Sequence, residues 1–328
     1  MAVVQEGKVL SNVTASQVAD HRPYGGVVPE IASRKHLEAL EGTLQLALEK
    51  AGVELKDLQG IAATYAPGLV GSLLVGLNFA KGLAFSLKIP FRGVHHIEGH
   101  LWSAFLENKP LFPFLGLVVS GGHSHIYWVP ALGQYEIIGQ TVDDAAGEAF
   151  DKVAKMMGLP YPGGPAIDQM SESGDPQAFP FALPRVKANP LNTSFSGMKT
   201  AALDHIANLR RENPGEMGEE AKGDLAASFQ RGVVRALAKM VERALEHREV
   251  QQLVVAGGVA CNRALREALQ GLANNKGISL VLPRPCYCTD NGAMIALAGE
   301  MYLCKGEDSP LSLNAKARKP LGEGSVRP

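Results

Sequence analysis

Apolar residues recur every three to four positions in several stretches of the chain and form short continuous runs in others. In residues 31–51 the leucines follow a helical period, and Gly52 supplies the stop. Apolar runs at 60–64 and 91–94 predict strands on either side of a second helix over 72–87. This alternation in the first third of the chain predicts an α/β fold.

After residue 113 the pattern changes to strands. Antiparallel strands are predicted where apolar runs are separated by glycine turns, at residues 115–119, 125–129 and 135–141. Asp143 and Asp144 are expected to cap the next helix, and residues 171–198, rich in Pro, Ser and Gly, are expected to be irregular. Helices and strands then alternate to the end, at residues 223–247, 253–256, 262–272, 280–282 and 291–304.

These changes of pattern predict two lobes, for which a chain of 328 residues is long enough. Residues 1–114 are expected to form the N-terminal lobe and residues 115–289 the C-terminal lobe. The final helix, residues 290–304, is expected at the lobe interface. Residues 305–328, rich in Pro and Lys, are expected to be a loose tail.

The charged residues nearly balance, with 32 Lys and Arg against 33 Asp and Glu and a net charge of −1. This balance excludes a broad basic surface for nucleic acid.

The N-terminal residues contain no apolar leader, and the apolar run over residues 66–80 is too short and too rich in glycine to span a bilayer. The cysteines form no C-x-x-C pair and are expected to be free thiols. We therefore expect a cytoplasmic protein with no membrane contact.

The pattern Leu-Val-Val-(Ser/Ala)-Gly-Gly occurs twice, at residues 117–122 and 253–258. Each copy is a buried strand that ends in a glycine turn, where the backbone can approach an anion and point N–H groups at it. Asn262 and a helical pattern follow the second copy, which suits a nucleotide. One such turn is more often an ordinary connection, but two matched copies predict related structural steps facing one cleft.

Two histidines four residues apart form the sharpest metal motif. His96 and His100 share one face of a predicted helix, whereas His95 lies about 100° away on that helix. Asp290, at the start of the last helix, is the candidate third ligand, although an N-cap is an equally natural role for it. Such a set suits zinc or non-haem iron without distinguishing them. The alternative is that these are packed or surface histidines with no metal.

Carboxylates are dense in residues 143–152, which suit either a solvated helix face or a nucleotide site. Asp151 is the candidate acceptor for the ribose hydroxyls of a nucleotide. Residues 161–165 suit a close-approach loop or a plain helix stop. Residues 194–200 have the composition of a phosphate loop but lack the Walker spacing.

Taken together, these motifs resemble the TsaD family of tRNA threonylcarbamoyladenosine transferases. The resemblance runs over residues 9–298, and no single motif carries it. The matching motifs are residues 24–30, 95–100, 119–123, 143–152, 161–165, 194–200, 256–262 and 289–294. The family implies an α/β fold of the actin, Hsp70 and sugar-kinase type (ASKHA), with two lobes and a ligand cleft between them.

The resemblance implies an acyltransferase. Such an enzyme transfers the threonylcarbamoyl group from threonylcarbamoyl-AMP to N6 of the adenosine just 3′ of the anticodon, in tRNAs that read codons beginning with adenine, and releases AMP. One divalent ion, Fe²⁺ or Zn²⁺, would be held by His96, His100 and Asp290. The adenylate would be held by Val118, Val119, Ser120, Gly121, Gly122, Asp151, Gly164, Asp168 and Asn262. No residue is assigned as the general base.

The resemblance also implies partners: tRNA, TsaB-like and TsaE-like proteins, and a TsaC-like synthase that supplies threonylcarbamoyl-AMP. Because the net charge is only −1, the tRNA needs either a partner's positive surface or a local basic patch. That patch would comprise Arg185, Lys187, Lys199, Arg210 and Arg211.

In one respect the sequence differs from the family's usual pattern. Members begin with an additional strand and a Glu-Thr-Ser-Cys-Asp type of turn that approaches the nucleotide, whereas Met1 to Val4 correspond to the following strand. We therefore expect one wall of the site to be missing from this chain.

The alternatives to a transferase are a metallopeptidase, a sugar or acetate kinase and a non-catalytic nucleotide-binding scaffold. The first lacks the H-E-x-x-H glutamate, and kinases normally use Mg²⁺ held by carboxylates and phosphates.

Overall fold

Strands and helices alternate along the chain in the computed structural model, which describes residues 1–24, 26–212 and 217–322. The strands are β1 (Ala2–Gln5), β2 (Lys8–Asn12), β3 (Ile61–Ala66), β4 (Phe91–His95), β5 (Phe114–Val119), β6 (Ser124–Ala131), β7 (Gln134–Gln140), β8 (Gln252–Ala256) and β9 (Ser279–Val281). The helices are α1 (Val18–His21), α2 (Pro29–Ala51), α3 (Val70–Leu87), α4 (His96–Ser103), α5 (Ala146–Met156), α6 (Gly163–Met170), α7 (Ser196–Glu212), α8 (Glu219–His247), α9 (Arg263–Lys276), α10 (Pro285–Cys288) and α11 (Gly292–Leu303).

Contacts between residues divide the chain into two units. The first unit comprises Met1–Lys109 together with Pro283–Pro328, and the second comprises Pro110–Leu282. The last two helices therefore belong to the same unit as α4, which places residues far apart in the sequence close together.

Helix α11 packs against both pairs of strands in the first unit. β1 and β2 pair antiparallel, whereas β3 and β4 pair parallel and are joined through α3. Glycine permits the close approach of α11, because a Cβ at Gly292 would lie 2.6 Å from Met1 C and one at Gly299 would overlap Ala62. The close packing of α11 on both pairs of strands therefore depends on these two glycines.

The predicted loose tail, residues 305–328, is instead held against β4 in its first part. Ser309 N–H donates a hydrogen bond to Phe91 O at 2.7 Å. Leu313 packs against the buried residues that α3 and β4 share. Backbone bonds and apolar contact therefore hold a segment whose composition alone suggested exposure. Residues 323–328 of the predicted tail lie outside the described residues.

By length and composition alone, helix α3 could cross a bilayer. The pattern of residues 66–80 predicted that this region could not. The core helices of soluble proteins meet the same criterion, so the finding is weak support for a membrane span. Leu77 and Ala84 are buried in the α3–β4 core, whereas Val70 and Phe85 are 41% and 74% exposed. One face of α3 is therefore buried and another is open.

The described strands of the second unit form a five-stranded sheet in the order β7-β6-β5-β8-β9. β5 pairs antiparallel with β6 and parallel with β8, so β5 and β8 end at the same edge of the sheet. Every residue of these two strands is buried, and α8 packs against the sheet. The apolar runs predicted as strands in this region are confirmed.

Two helices of the second unit form where the sequence predicted a turn or irregular structure. Helix α6 begins inside residues 161–165 and accommodates Pro165, because N–H groups in the first turn have no partner within a helix. Helix α7 begins at Ser196, within the segment predicted to be irregular. Proline and glycine here mark a helix start rather than a stop.

Asp143 and Asp144 do not cap α5 as predicted, and the start of that helix has no side-chain cap. Asp143 instead accepts hydrogen bonds from Phe195 N–H at 2.8 Å and Ser196 Oγ at 2.6 Å, at the start of α7. Asp144 forms an ion pair with Lys199 at 2.6 Å. Both carboxylates therefore bind α7 to the loop before α5. Their partners lie about 50 residues later in the chain, so local sequence patterns do not predict them.

Candidate metal centre and nucleotide site

Helix α4 begins at a histidine that has a structural role. Ile97 N–H donates to His95 Nδ1 at 3.3 Å, and His95 Nε2 lies 2.8 Å from Lys319 O. Since Nδ1 accepts a hydrogen bond, Nε2 carries the proton and donates to the carbonyl. Burial lowers the pKa of His95 to about 4, which keeps the ring neutral. His95 thus caps α4 and anchors the C-terminal segment.

His96 and His100 lie on one face of α4, as their spacing predicts. Their ring centroids are 4.6 Å apart. Asp290 Oδ1 lies 3.4 Å from His96 Nε2 and 3.2 Å from His100 Nε2. The three side chains offer ligand atoms within 4.8 Å of one another and are able to hold a metal ion.

The surroundings of these side chains also suit a metal. The His100 side chain is 1% exposed, and neither of its ring nitrogens makes a hydrogen bond to any described residue. Buried polar atoms rarely lack partners unless a ligand supplies one. Burial lowers the pKa of His96, against the attraction of Asp290, so the ring is neutral and keeps a lone pair for an ion.

Asp290 is not the N-cap of α11, the alternative role that its position allowed. Asn291 Oδ1 accepts from Met294 N–H at 3.0 Å and caps the helix. The Asp290 side chain is 78% exposed and lies beside the histidines. Its position follows from the capping turn that precedes α11.

The packing of α4 on α11 fixes the relative positions of the three candidate ligands. A Cβ at Gly99 would lie 2.6 Å from Ile295 Cδ1, so the two helices approach closely at this glycine. Glu98 is buried on the other side of α4, where the Tyr302 hydroxyl donates a hydrogen bond to it. Glu98 is therefore held away from the histidine face.

The two glycine turns lie side by side in the second unit. Val118 pairs with Ala256, so both turns follow from neighbouring strand ends. Gly257 has a φ of 94°, which favours glycine, and a Cβ there would lie 2.8 Å from Val119 C. The second turn therefore packs directly on the backbone of the first strand.

The first turn is open on its outer side and approached by a helix on its inner side. Gly121 and Gly122 are exposed, and a Cβ at either would meet no described atom within 4 Å. Gly147 N–H, in the first turn of α5, donates to Ser120 O at 3.2 Å. The positive end of the α5 dipole thus lies against a turn that has room for an anion.

Asp151 and Gly164 come together at the start of α6. Asp151 Oδ1 accepts from Gly163 N–H at 2.7 Å. Burial raises the pKa of Asp151, although the N–H groups of Gly163 and Gly164 oppose the shift. A Cβ at Gly163 would lie 2.7 Å from Asp151 Cα, so this contact depends on glycine.

Asp168 and Asn262 are hydrogen-bonded to each other. Asn262 Nδ2 donates to Asp168 Oδ1 at 3.2 Å and to Gln230 Oε1 at 2.6 Å. Asn262 Oδ1 accepts from Leu265 N–H at 2.9 Å and so caps α9. Gln230 is not among the residues predicted from the sequence, although a glutamine within the buried face of α8 signals an internal polar contact.

Two other motifs have different outcomes. Residues 194–200 hold the Asp143 carboxylate at the start of α7, so an internal anion takes the position that a phosphate loop would offer to a ligand. In the motif at residues 24–30, Gly25 lies outside the described residues.

Comparison with known sequences identifies the family. A family model described as "TsaD: tRNA N6-adenosine threonylcarbamoyltransferase" matches residues 8–297. The protein of that name from Geobacter sp. (strain M21) is 52% identical over 327 residues, covering 99% of this chain and 94% of its own. The one from Pelobacter propionicus is 53% identical over 317 residues, covering 96% and 92%.

Comparison with solved structures agrees on the fold. Full-length HypF in its phosphate- and nucleotide-bound form has a TM-score of 0.56 at 14% identity, over 80% of this chain and 41% of that one. HypF from T. kodakarensis has a TM-score of 0.58 at 16% identity, over 81% and 43%. These likenesses confirm the predicted α/β fold of the ASKHA type. The chain belongs to the TsaD family, and it is a transferase that adds the threonylcarbamoyl group to N6 of adenosine in tRNA.

Proposed function

We propose that the adenylate part of threonylcarbamoyl-AMP binds at the two glycine turns and α6. The main support is that the turns after β5 and β8 are neighbours. The turn after β5 has open space around its glycines and contacts the N-terminus of α5. The proposed site comprises Val118, Val119, Ser120, Gly121, Gly122, Asp151, Gly164, Asp168 and Asn262. Backbone N–H groups suit the phosphate, and carboxylates suit the ribose hydroxyls.

The proposed metal ligands are His96, His100 and Asp290. Two imidazoles and one carboxylate suit a single Fe²⁺ or Zn²⁺ ion and leave coordination positions open. When bound, such an ion supplies Lewis-acid stabilisation of negative charge. The proposed centre would be closed by protein on the side of the buried His100 ring. It would be open to solvent on the side of the exposed Asp290 side chain.

In the transfer, the N6 amine forms a bond to the carbamoyl carbon and the bond from that carbon to the AMP phosphate oxygen breaks. The amine loses one proton, and AMP leaves with the bonding pair. The contribution proposed for this chain is to orient the mixed anhydride through the N–H groups of the first turn and to stabilise the departing phosphate there.

The proposed partners include a TsaB-like protein bound at α2 and α3. These helices pack together, and both expose apolar side chains that a partner protein would cover. The exposed residues are Leu37, Leu46, Val70 and Phe85. A TsaE-like protein and a TsaC-like synthase that produces the reactive adenylate complete the proposed set, with tRNA as substrate and the cytoplasm as the location.

Reconstitution tests the proposal. The chain would be incubated with tRNA, threonine, bicarbonate, ATP, and TsaB-like, TsaE-like and TsaC-like proteins, and the modified adenosine measured by mass spectrometry. Metal content would be measured in parallel by elemental analysis. We expect His100→Ala to lose both the bound iron or zinc and most of the product.

His247→Ala is the matched control, because His247 is exposed on α8 and belongs to neither proposed site. It should keep metal and product at the level of the unmodified chain. Full metal occupancy in a variant with both His96→Ala and His100→Ala would remove these residues from the ligand set. The same analysis of the unmodified chain decides between iron and zinc.

A further inference from the structure

The side chains of Ser171, Gln230 and Asn262 form a ring of hydrogen bonds that closes on Asp168 in the second unit. Ser171 Oγ donates to Asp168 O at 2.7 Å and accepts from Gln230 Nε2 at 2.9 Å. Gln230 Oε1 accepts from Asn262 Nδ2 at 2.6 Å, and Asn262 Nδ2 donates in turn to Asp168 Oδ1 at 3.2 Å. The ring therefore begins and ends on the same aspartate.

The orientation of each amide in the ring is fixed by chemistry. Asn262 Oδ1 must face Leu265 N–H, since a backbone N–H only donates, and this leaves Nδ2 to face the carboxylate. Both hydrogens of Nδ2 are then used, one for Asp168 and one for Gln230. The Asn262 side chain has no donor left for a ligand.

Asp168 is the member of the ring that can still bind a ligand. Its Oδ1 accepts from Asn262, and none of the described residues donates to Oδ2. Asp168 is half-buried, whereas Gln230 and Asn262 are buried at 5% and 8% exposure. The ring thus presents one carboxylate oxygen at its accessible end, backed by two buried amides.

We propose that Gln230 is a positioning residue for the nucleotide ribose. It orients Asn262, which holds the Asp168 carboxylate, and Asp168 Oδ2 accepts a hydrogen bond from a ribose hydroxyl of the adenylate. A carboxylate suits this role because it only accepts, whereas hydroxyls donate. This inference rests on the proposed adenylate site and changes the role of Asn262 within it from direct contact to support.

The test compares AMP with 2′,3′-dideoxy-AMP, which lacks both ribose hydroxyls, by titration calorimetry on the full chain. The unmodified protein should bind AMP about tenfold more tightly than the dideoxy compound, the value of one hydrogen bond to a charged group. Asp168→Asn, Gln230→Met and Asn262→Asp should each lose this preference while binding dideoxy-AMP as before. Gln230→Glu, which still accepts from Asn262, should recover part of it.

Gln252→Met is the matched control, because Gln252 is also buried in the second unit and its Oε1 accepts from Leu111 N–H, at the end of β8 far from Gly257. It should keep the full preference for AMP. Equal loss of AMP and dideoxy-AMP affinity in Asn262→Asp would indicate a direct contact or a structural defect and overturn the inference. Absence of AMP binding by the unmodified chain would instead contradict the proposed adenylate site itself.

Discussion

Polar side chains in this protein differ in whether a protein partner already satisfies them. Asp143 and Asn262 use their hydrogen-bonding groups on backbone and side chains around them. The buried ring nitrogens of His100 make no hydrogen bond to any described residue. An unsatisfied buried polar atom costs about 1–3 kcal/mol, and the proposed metal ion would offset this cost at His100, whose Nε2 also lies 3.2 Å from Asp290 Oδ1.

The pair of His125 and Tyr127 predicts a dependence of stability on pH. His125 Nδ1 lies 2.9 Å from the Tyr127 hydroxyl, and the His125 and His123 ring centroids are 5.2 Å apart. Burial lowers the pKa of His125, so below about pH 6.5 the unfolded chain binds a proton that the folded chain resists. The stability that the neutral His125 ring contributes is therefore fully present above that pH. It is lost as the pH falls through the pKa of His125 in the folded chain.

His125→Gln cannot titrate and should flatten this part of the profile. The free energy of unfolding in urea, measured between about pH 7 and pH 5, should fall less steeply in the variant than in the unmodified protein. Parallel profiles would show that His125 does not contribute to the acid sensitivity.

At the scale of elements, glycines in the two turns have separate roles that substitution can distinguish. Gly257 combines a positive φ with close contact to the β5 backbone, whereas Gly122 has open space around it. Gly257→Ala should therefore cost about 1–3 kcal/mol in stability, since both the backbone and its neighbour must shift. Gly122→Ala should change stability by less than about 0.5 kcal/mol and still weaken AMP binding.

Thermal unfolding and AMP calorimetry on the two variants check this prediction. If Gly122→Ala bound AMP as tightly as the unmodified chain, the first turn would not approach the nucleotide. If Gly257→Ala melted normally, the contact between the turns would not be needed for the fold.

The strands, most of the longer helices and the His96–His100 spacing could be predicted because each depends on local spacing. The helix over Pro29–Ala51 follows the leucine period, and His96 and His100 share a face by helical geometry alone. The errors arose where distant residues decide. Asp143 caps a helix about 50 residues later in the chain, and Asn262 meets Asp168 across 94 residues. Such pairings are set by how helices pack, which periodicity does not specify.

At the scale of the whole molecule, a net charge of −1 has to be reconciled with a tRNA substrate. The proposed basic patch is smaller than the sequence suggested, because Lys199 is half-buried and paired with Asp144. Arg185, Lys187, Arg210 and Arg211 are exposed. Few cations therefore remain on this patch to neutralise phosphates.

A small patch predicts weak salt dependence. Each phosphate contact contributes roughly −0.7 to −0.9 to the slope of log affinity against log salt, so four exposed cations permit a slope of about −2.8 to −3.6. Arg185→Ala with Lys187→Ala should weaken tRNA binding by this chain and reduce the slope by about 1 to 2. Lys50→Ala with Lys56→Ala removes the same charge from exposed positions in the first unit and should change neither. Equal effects of the two double variants, measured by filter binding across a salt series, would indicate that net charge rather than this patch holds the tRNA.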